Sequence, residues 1–351
     1  MTFAAHRFYR SENRINSQGK FTMRKTAQTL SFGLAVLAGP ALANEPVTFG
    51  TNWLAQAEHG GFYQAVADGT YAACGLDVTI MPGGPQVNNR ALMLAGKIDY
   101  NMGGNLLGTF SAAAEGVPVV AVAASFQKEP QVFLTHPGKA KTFEDLKNLK
   151  LLVGDEGYAS YYQWMIKAYG FTPEQREVYT FNPAPFIADE GVAMQGYLSS
   201  EPLMVEKEGG FKPDVWLLAD AGYSTYSTLI ETMADTVAKK PEQVKCFVDG
   251  SIKGWYNYLY GDNAAANAMI KKDNPDMNDE QIAYGIEKMK EAGIVDSGDA
   301  LEKGIGVMTE AKIKDFFDKM AAAGVVPADL DYSKSIDLSF VGTGVGMDLK
   351  K

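Results

Sequence analysis

From residue 47 onward the chain alternates short β-like runs with amphipathic stretches, and it does so twice in the same order. The first block places strands at 47–51, 77–81 and 98–102, with helices over 60–67 and 87–95. A second block places strands at 151–154, 177–181 and 192–197, with a helix over 160–169 closed by Gly170. Strand and helix in alternation are the pattern of an α/β fold with mostly parallel sheets. Each block therefore predicts one small, doubly wound lobe with flanking helices. Two such lobes in one chain predict a cleft between them.

The joints can be read as well. A buried-strand run at 118–124 continues through Gln127-Lys128-Glu129-Pro130 into a second run at 132–135, and 215–218 leads into Ala219-Asp220-Ala221-Gly222-Tyr223. These are two crossings between lobes, where hinge motion can occur. Beyond the second crossing the spacing predicts helices. Val244, Phe247, Ile252, Trp255 and Leu259 recur at helical intervals, as do Ile282, Ile286 and Met289, then Ile313, Phe316 and Met320. The expected division is lobe 1 beginning over 44–128, lobe 2 over 129–218, and 219–351 completing lobe 1 with C-terminal helices.

The N-terminal segment belongs to neither block. Met23-Arg24-Lys25 opens a basic stretch that runs into apolar residues 30–38 and ends in Ala41-Leu42-Ala43, the layout of a secretory signal with a small-x-small cleavage site. The expectation is a leader over 1–43 cleaved after Ala43, and an exported periplasmic protein. Residues 1–22 read either as an over-extended start ahead of Met23 or as a disordered leader. Residues 1–43 hold six of the 32 basic residues and one of the 42 acidic ones, so 44–351 carries a net charge of −15. That balance argues against nucleic acid and anionic membranes as partners. Cys74 and Cys246 stand at no metal-ligand spacing, which leaves a single bridge or, the favoured expectation, two buried free thiols.

Ligands of open α/β sheets sit beyond the carboxyl ends of the strands. Here that rule selects the loops 52–60, 82–88, 103–108, 155–160, 182–186 and 199–202. Gly83-Gly84 and Gly103-Gly104 suit close backbone approach to a polar group, although any one glycine is explained as well by a tight turn. Trp53, Tyr63, Tyr158, Tyr161, Tyr162, Tyr197, Tyr223 and Tyr226 add aromatic faces, about half of them structural on sequence grounds. The candidate ligand-binding set is Asn52, Trp53, His59, Gly84, Gln86, Asn105, Tyr158, Ser160, Tyr197 and Glu201. In it Trp53 and Tyr158 offer stacking faces, Glu201 offers a carboxylate to an N–H edge, and His59 has either a hydrogen-bonding or a packing role. Arg90 and Lys128 are the nearby cations. No nucleophile elbow, phosphate loop, metal-binding helix or dinucleotide fingerprint occurs. The expectation is a protein that is not an enzyme and uses neither cofactor nor metal.

Several short stretches together resemble a known group. They are Asn52-Trp53 followed by His59-Gly60-Gly61-Phe62-Tyr63-Gln64-Ala65, then Gly75-Leu76-Asp77-Val78, Leu94-Ala95-Gly96-Lys97-Ile98-Asp99, Gly196-Tyr197 with Ser200-Glu201-Pro202, and Lys253-Gly254-Trp255. The chain resembles the periplasmic solute-binding proteins of ABC importers for nitrate, sulfonate and thiamine-pyrimidine precursors. This resemblance implies a type II two-lobed binding protein, monomeric, that closes on a small solute and presents it to a membrane permease and, through that, to its ATPase. It implies that the Asn52-Trp53 and His59 loop forms the wall of the first lobe, and that Glu201 reads the ligand from the second. A pyrimidine-type thiamine precursor or related N-heterocycle is the expected solute; a sulfonate or other small anion is the alternative. The group also includes synthases with a cysteine-rich stretch near the second crossing. Residues 221–226 read Ala-Gly-Tyr-Ser-Thr-Tyr, with no cysteine, although Lys97 occupies a matching Gly-Lys position.

Overall fold

The computed structural model describes residues 43–85 and 87–350. All of the expected leader except Ala43 lies outside them, and so does Gln86. Among the described residues ten strands form two mixed sheets of five. In chain order they are β1 (Glu45–Gly50), β2 (Leu76–Met81), β3 (Tyr100–Asn105), β4 (Val119–Phe126), β5 (Gln131–Thr135), β6 (Lys150–Val153), β7 (Arg176–Val178), β8 (Val192–Tyr197), β9 (Asp214–Leu217) and β10 (Ser227–Met233). The first sheet runs β2-β1-β3-β10-β4 and the second β7-β6-β8-β5-β9. In each, the three strands of the predicted block are parallel, as βαβ connections require. The strands at the crossings run the other way: β10 is antiparallel to β3 and β4, and β5 to β8 and β9.

β10 corrects the sequence reading, which carries helix from the second crossing onward. Its buried face includes Glu231, an acid that breaks the apolar alternation by which a strand is recognised. The carboxylate is fully buried because Arg90 reaches it with two nitrogens, Nη2 to Oε1 at 2.7 Å and Nε to Oε2 at 3.2 Å, while Asn101 donates at 2.8 Å and Thr109 at 3.3 Å.

The core of the first lobe is organised by the helix Pro241–Tyr260, which buries Val244, Phe247, Ile252, Trp255 and Leu259 as the spacing predicts. Phe247 stacks between Tyr71 and Tyr100, with ring centroids 5.2 and 4.2 Å away. Side chains of this size contribute about 2 kcal/mol each on burial. The helix Gly60–Ala67 lies directly against it, and only glycine permits the approach. A Cβ at Gly254 would stand 2.1 Å from the Gly61 carbonyl oxygen, and one at Gly61 2.3 Å from the Trp255 ring. Cys74 and Cys246 are joined in a disulfide that ties this helix to the turn before β2. The pair is not the two buried thiols of the sequence reading; 172 residues of chain separate partners whose Cα atoms are 5.9 Å apart.

The chain passes from the first sheet to the second through 127–130 and returns through 218–226. Both passages are held by the C-terminal segment. The amides of Gln127 and Lys128 donate to the Ile294 carbonyl, Lys312 Nζ donates to the Gln127 carbonyl and lies 4.2 Å from the centre of the Tyr226 ring, and the Thr309 amide donates to Tyr226 Oη at 3.1 Å. β4 is the outer strand of its sheet yet is buried along its whole length. Backbone bridges at Ala121–Ile336 and Ala124–Gly306 cover its free side.

Candidate functional site

The loops past β1 and β3 meet those past β7 and β8 where the cleft is expected, and the lobes touch there. Trp53, just past β1, packs against Phe181, three residues past β7, with ring centroids 4.9 Å apart. Ser199 Oγ donates to the Glu58 carboxylate from the other lobe, and both groups are buried. Phe181 is half exposed and has φ +60°, a left-handed backbone that bulky residues rarely adopt.

Around Trp53 the first loop is held from within. His59 is 2 % exposed, and burial lowers its imidazole to a pKa of about 3, so the ring is neutral. Nδ1 accepts the Gln56 amide at 3.2 Å, which leaves Nε2 as the protonated nitrogen donating to Asn52 Oδ1 at 3.1 Å. Both ring nitrogens are thereby occupied: His59 fixes the loop and orients the Asn52 amide. Gly83 is similarly engaged. Its amide donates to the Trp53 carbonyl at 3.1 Å, and a Cβ there would lie 2.3 Å from the Thr51 carbonyl oxygen. Gly84 packs beside Leu54.

The floor of the cleft is acidic. Asn105 caps the helix Leu106–Ala114, accepting the Leu107 amide at 3.1 Å, and its Nδ2 donates to Glu129 Oε2, also at 3.1 Å. Glu129 belongs to the first crossing and is 3 % exposed; burial raises its carboxyl to a pKa of about 7, with Glu156 adding to the rise. Tyr197 ends β8 beside Glu129, and its amide donates to Glu201 Oε2 at 2.6 Å. Desolvation also raises the Glu201 carboxyl to about 7, opposed by that hydrogen bond and helped by Glu58. Glu58 is itself raised by burial.

The remaining candidates are turned into their own lobes. One face of Tyr158 is covered by the Arg176 guanidinium at 4.6 Å, and Ser160 Oγ donates to the Glu156 carbonyl at 2.7 Å. Tyr63, Tyr162 and Tyr226 are core residues. Neither of the cations named from sequence faces the carboxyls: Arg90 is bound to Glu231, and Lys128 lies 4.0 Å from Asp220. Lys97 is exposed just before β3, at the end of that six-residue strand away from the cleft, a strand length of roughly 20 Å. A hollow of about 530 Å³ lined by Asn263, Asn267, Lys290 and Glu291 contains none of the converging groups. Sequence reasoning missed Glu129 and Phe181. The signal for Glu129 was an acid set between two apolar strands; for Phe181, an aromatic at a predicted strand end.

A family model described as NMT1/THI5 like matches residues 56–266. The 4-amino-5-hydroxymethyl-2-methylpyrimidine phosphate synthase THI11 of Saccharomyces cerevisiae is 26% identical over 243 residues, 64% of this chain and 70% of the yeast protein. Among solved structures, a putative periplasmic sulfonate-binding protein of a sulfonate ABC transporter from Methylobacillus flagellatus superposes with a TM-score of 0.58 at 14% identity, covering 88% of this chain and 96% of the other. The periplasmic nitrate-binding protein of Synechocystis gives 0.59 at 12% identity, covering 85% and 87%. At these identities the two structures share the fold: two lobes, each an α/β sheet layered with helices.

Proposed function

The chain belongs to the NMT1/THI5-like family, and from that membership we propose that it is the solute-binding component of an ABC importer, capturing a pyrimidine-type thiamine precursor or related N-heterocycle between its lobes. It works in the periplasm and hands the solute to a membrane permease. One observation carries the choice of solute: the carboxyls of Glu58, Glu129 and Glu201 converge in the cleft while Arg90 and Lys128 are engaged elsewhere. Such a cleft attracts N–H donors and repels sulfonate or nitrate. The half-buried indole of Trp53 supplies the flat apolar wall that a ring requires.

Binding in this reading is capture without chemistry. The one histidine near the cleft is neutral, with both nitrogens occupied, and Lys97 lies at the wrong end of β3 to form a covalent link with a ligand there. A ligand that touches both lobes favours the closed state over the open one, because only the closed state offers both sets of contacts. It also raises the melting temperature, since it binds the folded chain alone. A thermal-shift screen of aminopyrimidines, purines, flavins and alkanesulfonates tests the reading. Stabilisation by aminopyrimidines is the expected result, and stabilisation by sulfonates alone overturns it.

A further inference from the structure

Two buried polar groups stand side by side at the seam between the lobes. Glu129 lies on the first crossing and Tyr223 on the second, and both are at least nine-tenths buried. The Tyr223 ring is packed by Trp164 at 5.2 Å and Phe316 at 5.2 Å, and its hydroxyl is turned toward Asn105 and Glu129. It forms no hydrogen bond of normal geometry among the described residues. A buried hydroxyl without a partner is costly to retain. So is a carboxyl set among Glu156 and the phenols of Tyr161 and Tyr223, even with the Asn105 amide, the Tyr197 hydroxyl and the Gln131 backbone N–H donating to it. Tyr223 lacks a polar partner of normal geometry, and Glu129 faces acids and phenols with one amide, that of Asn105, as its side-chain N–H donor.

Building on the solute-binding reading above, we propose that Glu129 and Tyr223 form the inner subsite of the cleft, taking the exocyclic amine and adjacent ring nitrogen of an amidine-like edge. Glu129 accepts N–H bonds from the amine, while the Tyr223 hydroxyl donates to the ring nitrogen or accepts from the amine. Opening of the lobes separates Asn105 on β3 from Tyr197 on β8 and uncovers the carboxyl between them. A ligand seated there touches both crossings at once, so its binding is felt at the two places where the lobes pivot.

The test titrates wild type, Glu129→Gln, Tyr223→Phe and Trp53→Ala calorimetrically with three probes. They are 4-amino-5-hydroxymethyl-2-methylpyrimidine, the same ring with an oxo group in place of the amine, and ethanesulfonate. Wild type is expected to prefer the amino ring at least tenfold, a preference typical of a buried polar site whose partner is missing. Glu129→Gln is expected to lose at least tenfold in affinity for the amino ring together with most of that preference, and Tyr223→Phe to lose several-fold. Should Glu129→Gln melt well below wild type, Glu129→Asp, which keeps the charge, is expected to retain the preference. Undiminished affinity of Glu129→Gln alongside a loss in Trp53→Ala sinks the subsite and leaves the solute-binding reading standing. Binding of ethanesulfonate with neither ring bound overturns both.

Discussion

Trp53 and Phe181 meet across the cleft at 4.9 Å between ring centroids, one from each lobe, and Phe181 holds a left-handed backbone to do so. An aromatic pair contributes about 1 kcal/mol beyond the area it buries, so Phe181→Ala should weaken ligand binding several-fold by loosening closure. The melting temperature of the free protein should change little, because the removed ring is half exposed and alanine keeps the same left-handed φ. Trp53→Ala should cost more, since in the proposed site the indole is also the wall against which the ring lies. Calorimetric titration beside thermal melts separates the two effects; a large fall in the Phe181→Ala melting temperature would contradict the assignment.

Glu129 gives a signed dependence on pH. Its carboxyl rises from 4.5 to about 7 on folding, chiefly by desolvation. The folded state then holds a proton that the unfolded state releases, so the group's effect on stability is favourable below pH 4.5 and is lost as pH climbs to about 7. Glu129→Gln should therefore gain on wild type through that window, reaching on the order of 3 kcal/mol above it. His59 acts in the opposite sense, because its pKa falls to about 3 on folding and stability is lost as pH drops from 6.5. Only the difference between variant and wild type isolates Glu129. Denaturant melts from about pH 4.5 to 8 measure it, and a flat difference rules the account out.

Arg90→Ala tests fold against function. Removing the guanidinium strands the fully buried Glu231 carboxylate, a loss of about 3–5 kcal/mol in stability. Ligand affinity of the fraction that remains folded should match wild type. If affinity falls instead while stability holds, Arg90 serves an anion.

The Cys74–Cys246 bridge lies in lobe 1 and closes a loop of 172 residues that contains the whole second sheet. Replacing both by serine should lower stability by about 3–5 kcal/mol and leave ligand affinity unchanged. Urea denaturation with and without reductant, compared with the double variant, checks both parts.

Gly254→Ala should be among the most damaging single-methyl additions in the chain. The new carbon would meet the Gly61 carbonyl oxygen at 2.1 Å, and backbone cannot rotate away as a side chain can. Overpacking of this kind costs about 1–3 kcal/mol, visible as a lowered melting temperature; an unchanged one would mean the two helices are not pressed together.

The same pair of helices explains how much of the fold was legible. His59-Gly60-Gly61 and Lys253-Gly254-Trp255 stood out in the sequence almost two hundred positions apart, and they are two sides of one contact. Helices with apolar stripes were legible because their core faces recur in the chain itself, as at Val244, Phe247 and Ile252. β10 was not, because Glu231 reads as a surface acid until Arg90 is brought to it from 141 residues away. In the cleft, Trp53 could be placed by its position past β1. Glu129 could not: beside Lys128 it has the look of a solvated turn, and only the packing of Tyr197, Tyr223 and Asn105 removes the water. The contacts of Tyr158 with Arg176 and of Ser160 with the Glu156 carbonyl could not be read, because a loop's position does not tell which way its side chains turn.

The bridges from Ala121 to Ile336 and from Ala124 to Gly306 have a consequence outside the cleft. An unpaired outer strand as apolar as β4 would be a template on which a second chain could add its own backbone. Here the molecule's own later segment occupies that ladder at Ala121 and Ala124. Hydrogen bonds remote from the proposed ligand site thereby guard this side of the sheet against edge-to-edge stacking.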